Sequence, residues 1–193
     1  MDCKIVAATN NKNKLREFKE ILSPLGYQIV SLKDLGIEIE VEETGKTFEE
    51  NSMLKAKAIL EATGMASLAD DSGLEVDALG GEPGIYSARY CEGSDADRVA
   101  FLLDKMKDVP DGKRSARFVS AITLMFTDGD IVTARGTCEG KIAHEPAGKN
   151  GFGYDPIFFV ESYGKTFAEL SPEQKNMISH RGNALSELQR QLI

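Results

Sequence analysis

The first 32 residues hold the feature that restricts the fold most: two apolar runs separated by one amphipathic helix. Residues 4–8, Lys-Ile-Val-Ala-Ala, read as a short buried strand. Over residues 13–22, Leu15, Phe18, Ile21 and Leu22 fall on one helical face. Pro24 and Gly26 end that helix, and residues 27–32 read as a second strand. Strand, helix and strand in that order imply a parallel pairing with a crossover connection.

The rest of the chain continues the alternation. Thr47-Phe48-Glu49-Glu50 has the capping-box spacing, and the helix it opens is expected to run to about Ala62, with Gly64 as its stop. Residues 66–69 predict a short apolar strand and residues 70–73 a turn. Leu74, Val76 and Ala78 then alternate with Glu75 and Asp77, as in a half-buried strand. Gly80-Gly81-Glu82-Pro83-Gly84 is a loop. Val99, Leu102, Leu103 and Met106 mark another helix, stopped near Pro110. Residues 116–126 predict a long strand, Asp128-Gly129-Asp130 a hairpin turn, and residues 131–138 the return. Residues 157–160 are a further strand. Ser171-Pro172-Glu173-Gln174 supplies an N-cap, a proline at the first helical position and a capping partner. A C-terminal helix follows, using Leu185, Leu188 and Leu192. No repeat, low-complexity tract or linker intervenes, so residues 1–193 read as one α/β domain with a mixed sheet and a long antiparallel hairpin.

Composition limits the function classes. With 193 residues, 41% of them hydrophobic, the chain suits one domain or two small lobes sharing a core. A net charge of −8 provides no general basic field, which argues against a nucleic acid polymer as partner. A small anionic substrate would need a local group of Lys and Arg, with a metal ion, to offset the acidic background. No apolar run approaches the roughly 20 residues that span a bilayer, so no membrane partner is expected. The start, Met1-Asp2-Cys3-Lys4, lacks the shape of a signal peptide, and a cytoplasmic location is expected. Cys3, Cys91 and Cys138 are scattered, as free thiols are, and fit neither a disulfide framework nor a zinc site.

Five segments can carry chemistry. Ala8-Thr9-Asn10-Asn11-Lys12-Asn13-Lys14 joins the first strand to the first helix. It is either an anion cradle, with Thr9, Asn10 and Lys14 adding side chains, or a polar turn with an Asn cap. It has no Walker A glycines. Asp70-Asp71 are adjacent acids whose mutual repulsion a divalent cation would relieve; the alternative is a solvated acidic turn. Glu42-Glu43, taken by themselves, read as solvated. Asn51, Ser52 and Lys55 lie about one turn apart, and Lys55 either reaches water or meets an anion. In Gly148-Lys149-Asn150-Gly151-Phe152-Gly153-Tyr154-Asp155-Pro156, the Phe either stacks on a nucleobase or plugs the core. Lys175 and Ser179-His180-Arg181-Gly182-Asn183 form the fifth; Arg181 has the fork geometry for a carbonyl, phosphate or carboxylate, while His144 reads as solvated or structural.

Together these segments resemble the inosine triphosphate pyrophosphatase family, also called XTP/dITP diphosphatases. The resemblance rests on residues 8–14, Glu42-Glu43-Thr44-Gly45 with Thr47-Phe48, and Ala69-Asp70-Asp71-Ser72-Gly73-Leu74. It continues through Pro83-Gly84-Ile85-Tyr86-Ser87-Ala88-Arg89, Phe152-Gly153-Tyr154-Asp155-Pro156 and Ser179-His180-Arg181-Gly182. It implies an elongated mixed sheet flanked by helices, with two lobes around a central active-site cleft, and a homodimer. The implied activity converts ITP, dITP and XTP to the monophosphate and pyrophosphate with Mg²⁺, which cleanses the nucleotide pool. The resemblance gives Thr9, Asn10, Asn11, Lys12, Asn13 and Lys14 to the phosphates, together with Lys55 and Ser72. Glu42, Glu43 and Asp71 go to the metal, with Asp71 activating water and Lys14 and Lys55 assisting catalysis. Phe152, Gly153, Tyr154, Asp155, Lys175, His180 and Arg181 go to the base end.

Chemistry supports the implied roles. Water attack at the α-phosphorus needs a positioned water, charge neutralisation and a stabilised leaving group. A 6-oxopurine presents an acceptor at O6 and a donor at N1. Arg181 or His180 would donate to O6, and Asp155 or a nearby carbonyl would accept from N1–H. Adenine reverses both groups, a mismatch that discriminates by about 10⁴-fold. The rival readings are a pyrophosphatase of modified pyrimidine or methylated nucleotides, a non-catalytic nucleotide sensor, and a structural domain with solvent-facing acids.

Overall fold

In the computed structural model, residues 3–193 are described, Cys3 by its backbone alone. The Met1-Asp2 start and the Cys3 thiol lie outside the described residues. The N-terminal unit forms as the sequence requires. Strand β1 (Cys3–Ala7) leads through helix α1 (Lys12–Leu22) to β2 (Tyr27–Ser31). The two strands pair in parallel, Ile5 opposite Ile29. Gly26 closes the segment after α1 in the left-handed region, at φ 88°. Helix α2 (Phe48–Thr63) follows, and β3 (Ala66–Val76) pairs in parallel with the other side of β1, Ile5 opposite Ala66.

Helix α3 (Asp95–Lys105) precedes β4 (Ser115–Met125) and β5 (Ile131–Ile142). The turn between β4 and β5 is closed by the Phe126 N–H donating to the Asp130 carbonyl at 2.8 Å. Short strands β6 (Phe158–Val160) and β7 (Lys165–Thr166) add on antiparallel, and α4 (Pro172–Ile178) and α5 (His180–Leu192) end the chain. The strand order is β2-β1-β3-β4-β5-β6-β7, a mixed seven-stranded sheet with helices. The chain gathers into two compact units. One comprises residues 1–71, 120–136 and 181–193, the other residues 72–119 and 137–180. The first has a core of Ile5, Phe18, Leu22, Leu68, Leu124 and Leu185 among others, the second of Leu74, Leu102, Met106, Phe158 and Phe167.

Four expectations need correction. Residues 70–73 are not a turn: β3 runs unbroken through them. Neighbouring residues on a strand point to opposite faces, and each acid finds cations on its own face, so the polar run does not force the chain to bend. The C-terminal helix is two helices, because Ser179 adopts extended angles (φ −67°, ψ 152°) between α4 and α5, a conformation serine favours at helix starts. Strand β5 continues past Cys138 to Ile142. At Gly140 a Cβ would meet the Phe159 carbonyl oxygen at 2.6 Å, so close approach of β6 explains the glycine. At the start of α2, Thr47 caps as expected, but Glu50 accepts from the Lys46 N–H at 2.6 Å, one residue before the capping-box donor.

Candidate functional site

The first unit brings the acids to lysines. Ala69 and Asp71 lie on the face of β3 that packs on α2, where Ala56, Ala69 and Met125 form one cluster. Leu68 and Asp70 lie on the opposite face, toward α1 and α5. Asp71 Oδ1 accepts from Lys55 Nζ at 2.9 Å, and Asp71 Oδ2 from Asn51 Nδ2 at 3.2 Å. Lys55 Nζ also donates to Glu43 Oε1 at 2.8 Å. Asn51 and Lys55 stand one turn apart on α2, so the helix holds both donors along one line. Ser52, also buried, shares a 2.8 Å hydrogen bond with the Thr123 hydroxyl.

On the other face, Lys14 Nζ lies 3.0 Å from Asp70 Oδ1. Arg181 Nε donates to Asp70 Oδ2 at 3.1 Å and Nη1 to Glu17 Oε2 at 2.9 Å. Asp70 and Arg181 are each 2% exposed. The adjacent acids are therefore kept apart by the strand and neutralised by different helices.

Burial raises the Asp71 carboxyl above its usual range; Lys55 and Asn51 pull it down and the Glu43 charge pushes it up. Burial works against the Lys55 charge, but Asp71, Asp70 and Glu43 outweigh it and hold Lys55 more firmly protonated. The Lys55 direction follows from one ammonium serving two carboxylates, the Asp71 direction from burial. Lys14 is lowered, mainly by burial, with Arg181 and Lys55 adding repulsion against the pull of Asp70. A further anion beside Lys14 would favour its charged form.

The loop before α1 carries an Asn cap. Asn11 Oδ1 accepts from the Asn13 and Lys14 N–H groups, and Thr9 Oγ1 accepts from the Asn11 N–H. Asn10, Asn11 and Lys12 are exposed, while Thr9, Asn13 and Lys14 are half-buried. Glu42 is exposed and Glu43 half-buried. Among the described residues, no three His, Cys, Asp or Glu side chains gather as a metal cage. Glu43 and Asp71 nevertheless converge on one cationic group. Two carboxylates fit a hard divalent ion that completes its shell with water and phosphate oxygens.

The second unit gathers the other predicted residues, together with Ser72 of β3, which is half-buried. Gly151 stands at φ 76°, and a Cβ there would meet Asp155 Oδ2 at 2.0 Å. Asp155, buried, accepts from the Phe152 N–H at 2.8 Å and from Lys175 Nζ at 2.5 Å. Lys175 Nζ lies 4.7 Å from the centre of the Phe152 ring. The Gly153 N–H donates to Asp95 Oδ2 at 2.7 Å. Phe152 is half-buried; the aromatic that enters the core is Tyr154, whose hydroxyl donates to the Ser87 carbonyl at 2.9 Å. Burial raises that phenol well above its usual range. His180 is buried, its ring stacked on Phe118 with centroids 4.8 Å apart. His144, exposed, pairs with Asp111 at 2.5 Å, in keeping with a surface residue.

Sequence reasoning placed Arg181 with His180 at the base end; in the structure two of its donors hold Asp70 and Glu17. It missed Glu17 and Asp95. The i, i+3 spacing of Lys14 and Glu17 on α1 was a usable sign for the first. Asp95 has a local partner in Arg98, three residues on, but its link to Gly153 has no local sign, because the two are distant in sequence.

A mixed α/β sheet carrying a lysine-bridged acid pair beside a second acid held by lysine and arginine defines an enzyme-like, anion-handling protein. Comparisons with known proteins give the family. The Ham1 family model matches residues 5–191, and the chain belongs to the Ham1 family. A protein of Exiguobacterium sibiricum named dITP/XTP pyrophosphatase is 51% identical over 188 residues, covering 96% of this chain and 95% of its own. The Staphylococcus aureus Ham1 protein superposes with a TM-score of 0.89 at 46% identity, over 98% of this chain and 97% of that one. A HAM1 protein from Coxiella burnetii gives 0.91 at 43% identity, over 100% and 98%.

Proposed function

We propose that this protein hydrolyses non-standard purine nucleoside triphosphates (dITP, XTP and ITP) to the monophosphate and pyrophosphate. The names of its relatives support the reaction class. The observation that carries the site assignment is the Lys55 ammonium shared between Glu43 and Asp71. Mg²⁺ is the ion that two carboxylates and a triphosphate select, and Asp71 with Glu43 would hold it. Bound there, it supplies charge neutralisation on the phosphate oxygens.

Asp71 orients the attacking water and takes its proton. The water oxygen bonds to the α-phosphorus, the bond from that phosphorus to the oxygen bridging to the β-phosphate breaks, and pyrophosphate leaves with the electron pair. Lys14, Lys55, Ser72 and the loop from Thr9 to Asn13 meet the phosphates. Phe152 stacks on the base, with Gly153, Tyr154, Asp155, Lys175 and His180 shaping its pocket. Arg181 or His180 donates to O6, Arg181 also holding Asp70 and Glu17. Asp155 or a carbonyl beside it accepts from N1–H. A homodimer in the cytoplasm completes the reading; the family resemblance supports the first and the free thiols of Cys91 and Cys138 the second.

A substrate panel tests this. Pyrophosphate release from dITP, XTP and ITP should require Mg²⁺, vanish with a chelator and exceed release from ATP by about 10⁴-fold. In Asp71→Asn, turnover should fall by roughly 10²–10⁴-fold. Equal cleavage of ATP and ITP would overturn the base-pocket assignment, and undiminished turnover in Asp71→Asn the role of that residue.

A further inference from the structure

We propose that Asn51 is the positioning residue of the acid pair, its carboxamide fixing the Asp71 carboxylate and the segment from Glu43 to Gly45 in one frame. The inference rests on the reading of Glu43 and Asp71 as the metal and water site.

Asn51 is fully buried, at 0% exposure. Its Oδ1 accepts from the Gly45 N–H at 2.8 Å, and its Nδ2 donates to Asp71 Oδ2 at 3.2 Å. The partners fix which way the amide points: an N–H needs the oxygen and a carboxylate needs the nitrogen. Asp71 Oδ1 then goes to Lys55 Nζ, and Lys55 to Glu43, two residues before Gly45. The result is a closed ring: Asn51 to Asp71, Asp71 to Lys55, Lys55 to Glu43, and the backbone from Glu43 through Gly45 back to Asn51. Lys55 alone would leave the Asp71 carboxylate free to turn about one flexible side chain. The planar amide, rooted on a helix, removes that freedom for Asp71 and fixes the backbone that carries Glu43.

Two details agree. A Cβ on Gly45 would meet Asn51 Oδ1 at 2.6 Å and the Glu50 Cβ at 2.7 Å, so the bridge requires a glycine's close approach. The bridging group is also neutral. Ionised aspartate has nearly the same shape, but it cannot donate to Asp71 and would set a third carboxylate beside two.

That contrast separates the two bonds. Asn51→Asp keeps an acceptor for Gly45 and loses the donor to Asp71; Asn51→Ala loses both. Steady-state rates with dITP and Mg²⁺, amide hydrogen exchange at Gly45 and thermal unfolding are measured on the full chain. In both variants kcat should fall by roughly 10–100-fold, as when partners of metal-site ligands are removed, with KM changing less. The Gly45 amide should stay protected in Asn51→Asp and exchange quickly in Asn51→Ala. Thr47→Ala, which weakens the same helix outside the ring, should keep the wild-type kcat. A folded Asn51→Asp with wild-type kcat overturns the inference while the proposed function stands. Wild-type protein that releases no pyrophosphate overturns both. If Asn51→Asp does not fold, Gly45→Ala carries the test: it displaces the amide from outside the core and should lower kcat similarly, and unchanged kcat there overturns the inference.

Discussion

At the scale of single residues, burial decides how ionisable groups behave. Asp70 is buried beside Lys14 and Arg181, and Asp71 beside Lys55 and Asn51, so neither is the solvated surface acid that its sequence neighbourhood allows. The same physics acts on a thiol. Burial pushes Cys138 from 9.0 up to about 11, with the Glu139 charge adding to the shift. Between those values the unfolded chain gives up a proton that the folded chain retains. Unfolding is therefore increasingly favoured as pH rises through this window, and the contribution is fully present only below about pH 9. Urea titrations at pH 8, 9, 10 and 11 should show Cys138→Ala losing less stability with rising pH than the wild type. Parallel pH profiles for the two proteins would refute the assignment.

At the scale of elements, α2 shows best how local chemistry delivers a site. Thr47 Oγ1 accepts from the Glu50 N–H at 3.1 Å, and Gly64 ends the helix at φ 65° with its N–H on the Leu60 carbonyl at 2.8 Å. Chemical denaturation should show Thr47→Ala costing about 1 kcal/mol. Gly64→Ala should cost about as much, from backbone strain alone, because its Cβ would meet nothing within 4 Å. Both ends of this helix were legible in the sequence, since caps depend on residues three or four apart. Strand β3 was not legible as one element. Its middle, Asp70-Asp71-Ser72-Gly73, has turn composition, and what straightens it are cations from α1, α2 and α5. The extension of β5 through Gly140 was hidden for a related reason: it is set by what packs alongside.

At the scale of the whole molecule, each compact unit has its own apolar core, with Leu68 in the first and Leu102 in the second, both at 0% exposure. Leu68→Ala and Leu102→Ala should each destabilise by about 2–5 kcal/mol in urea unfolding, the cost of lost burial plus a residual cavity. A loss below 1 kcal/mol at either position would mean that its surroundings collapse to fill the space. The sequence by itself determined the α/β class, the parallel opening unit, the hairpin and most helix caps. Periodicity and capping are short-range, so composition and spacing suffice to read them. Motif order along the chain also pointed to the family before any coordinates. Only the tertiary structure decided which cation serves which acid. It turned Asp70 and Asp71 to opposite faces of one strand, gave Arg181 to Asp70 and Glu17, and put Tyr154 rather than Phe152 into the core. It also set Asn51 between Gly45 and Asp71. These are choices between residues far apart in sequence. They are made by packing, which lowers the local dielectric and makes an unpaired charge too costly to leave.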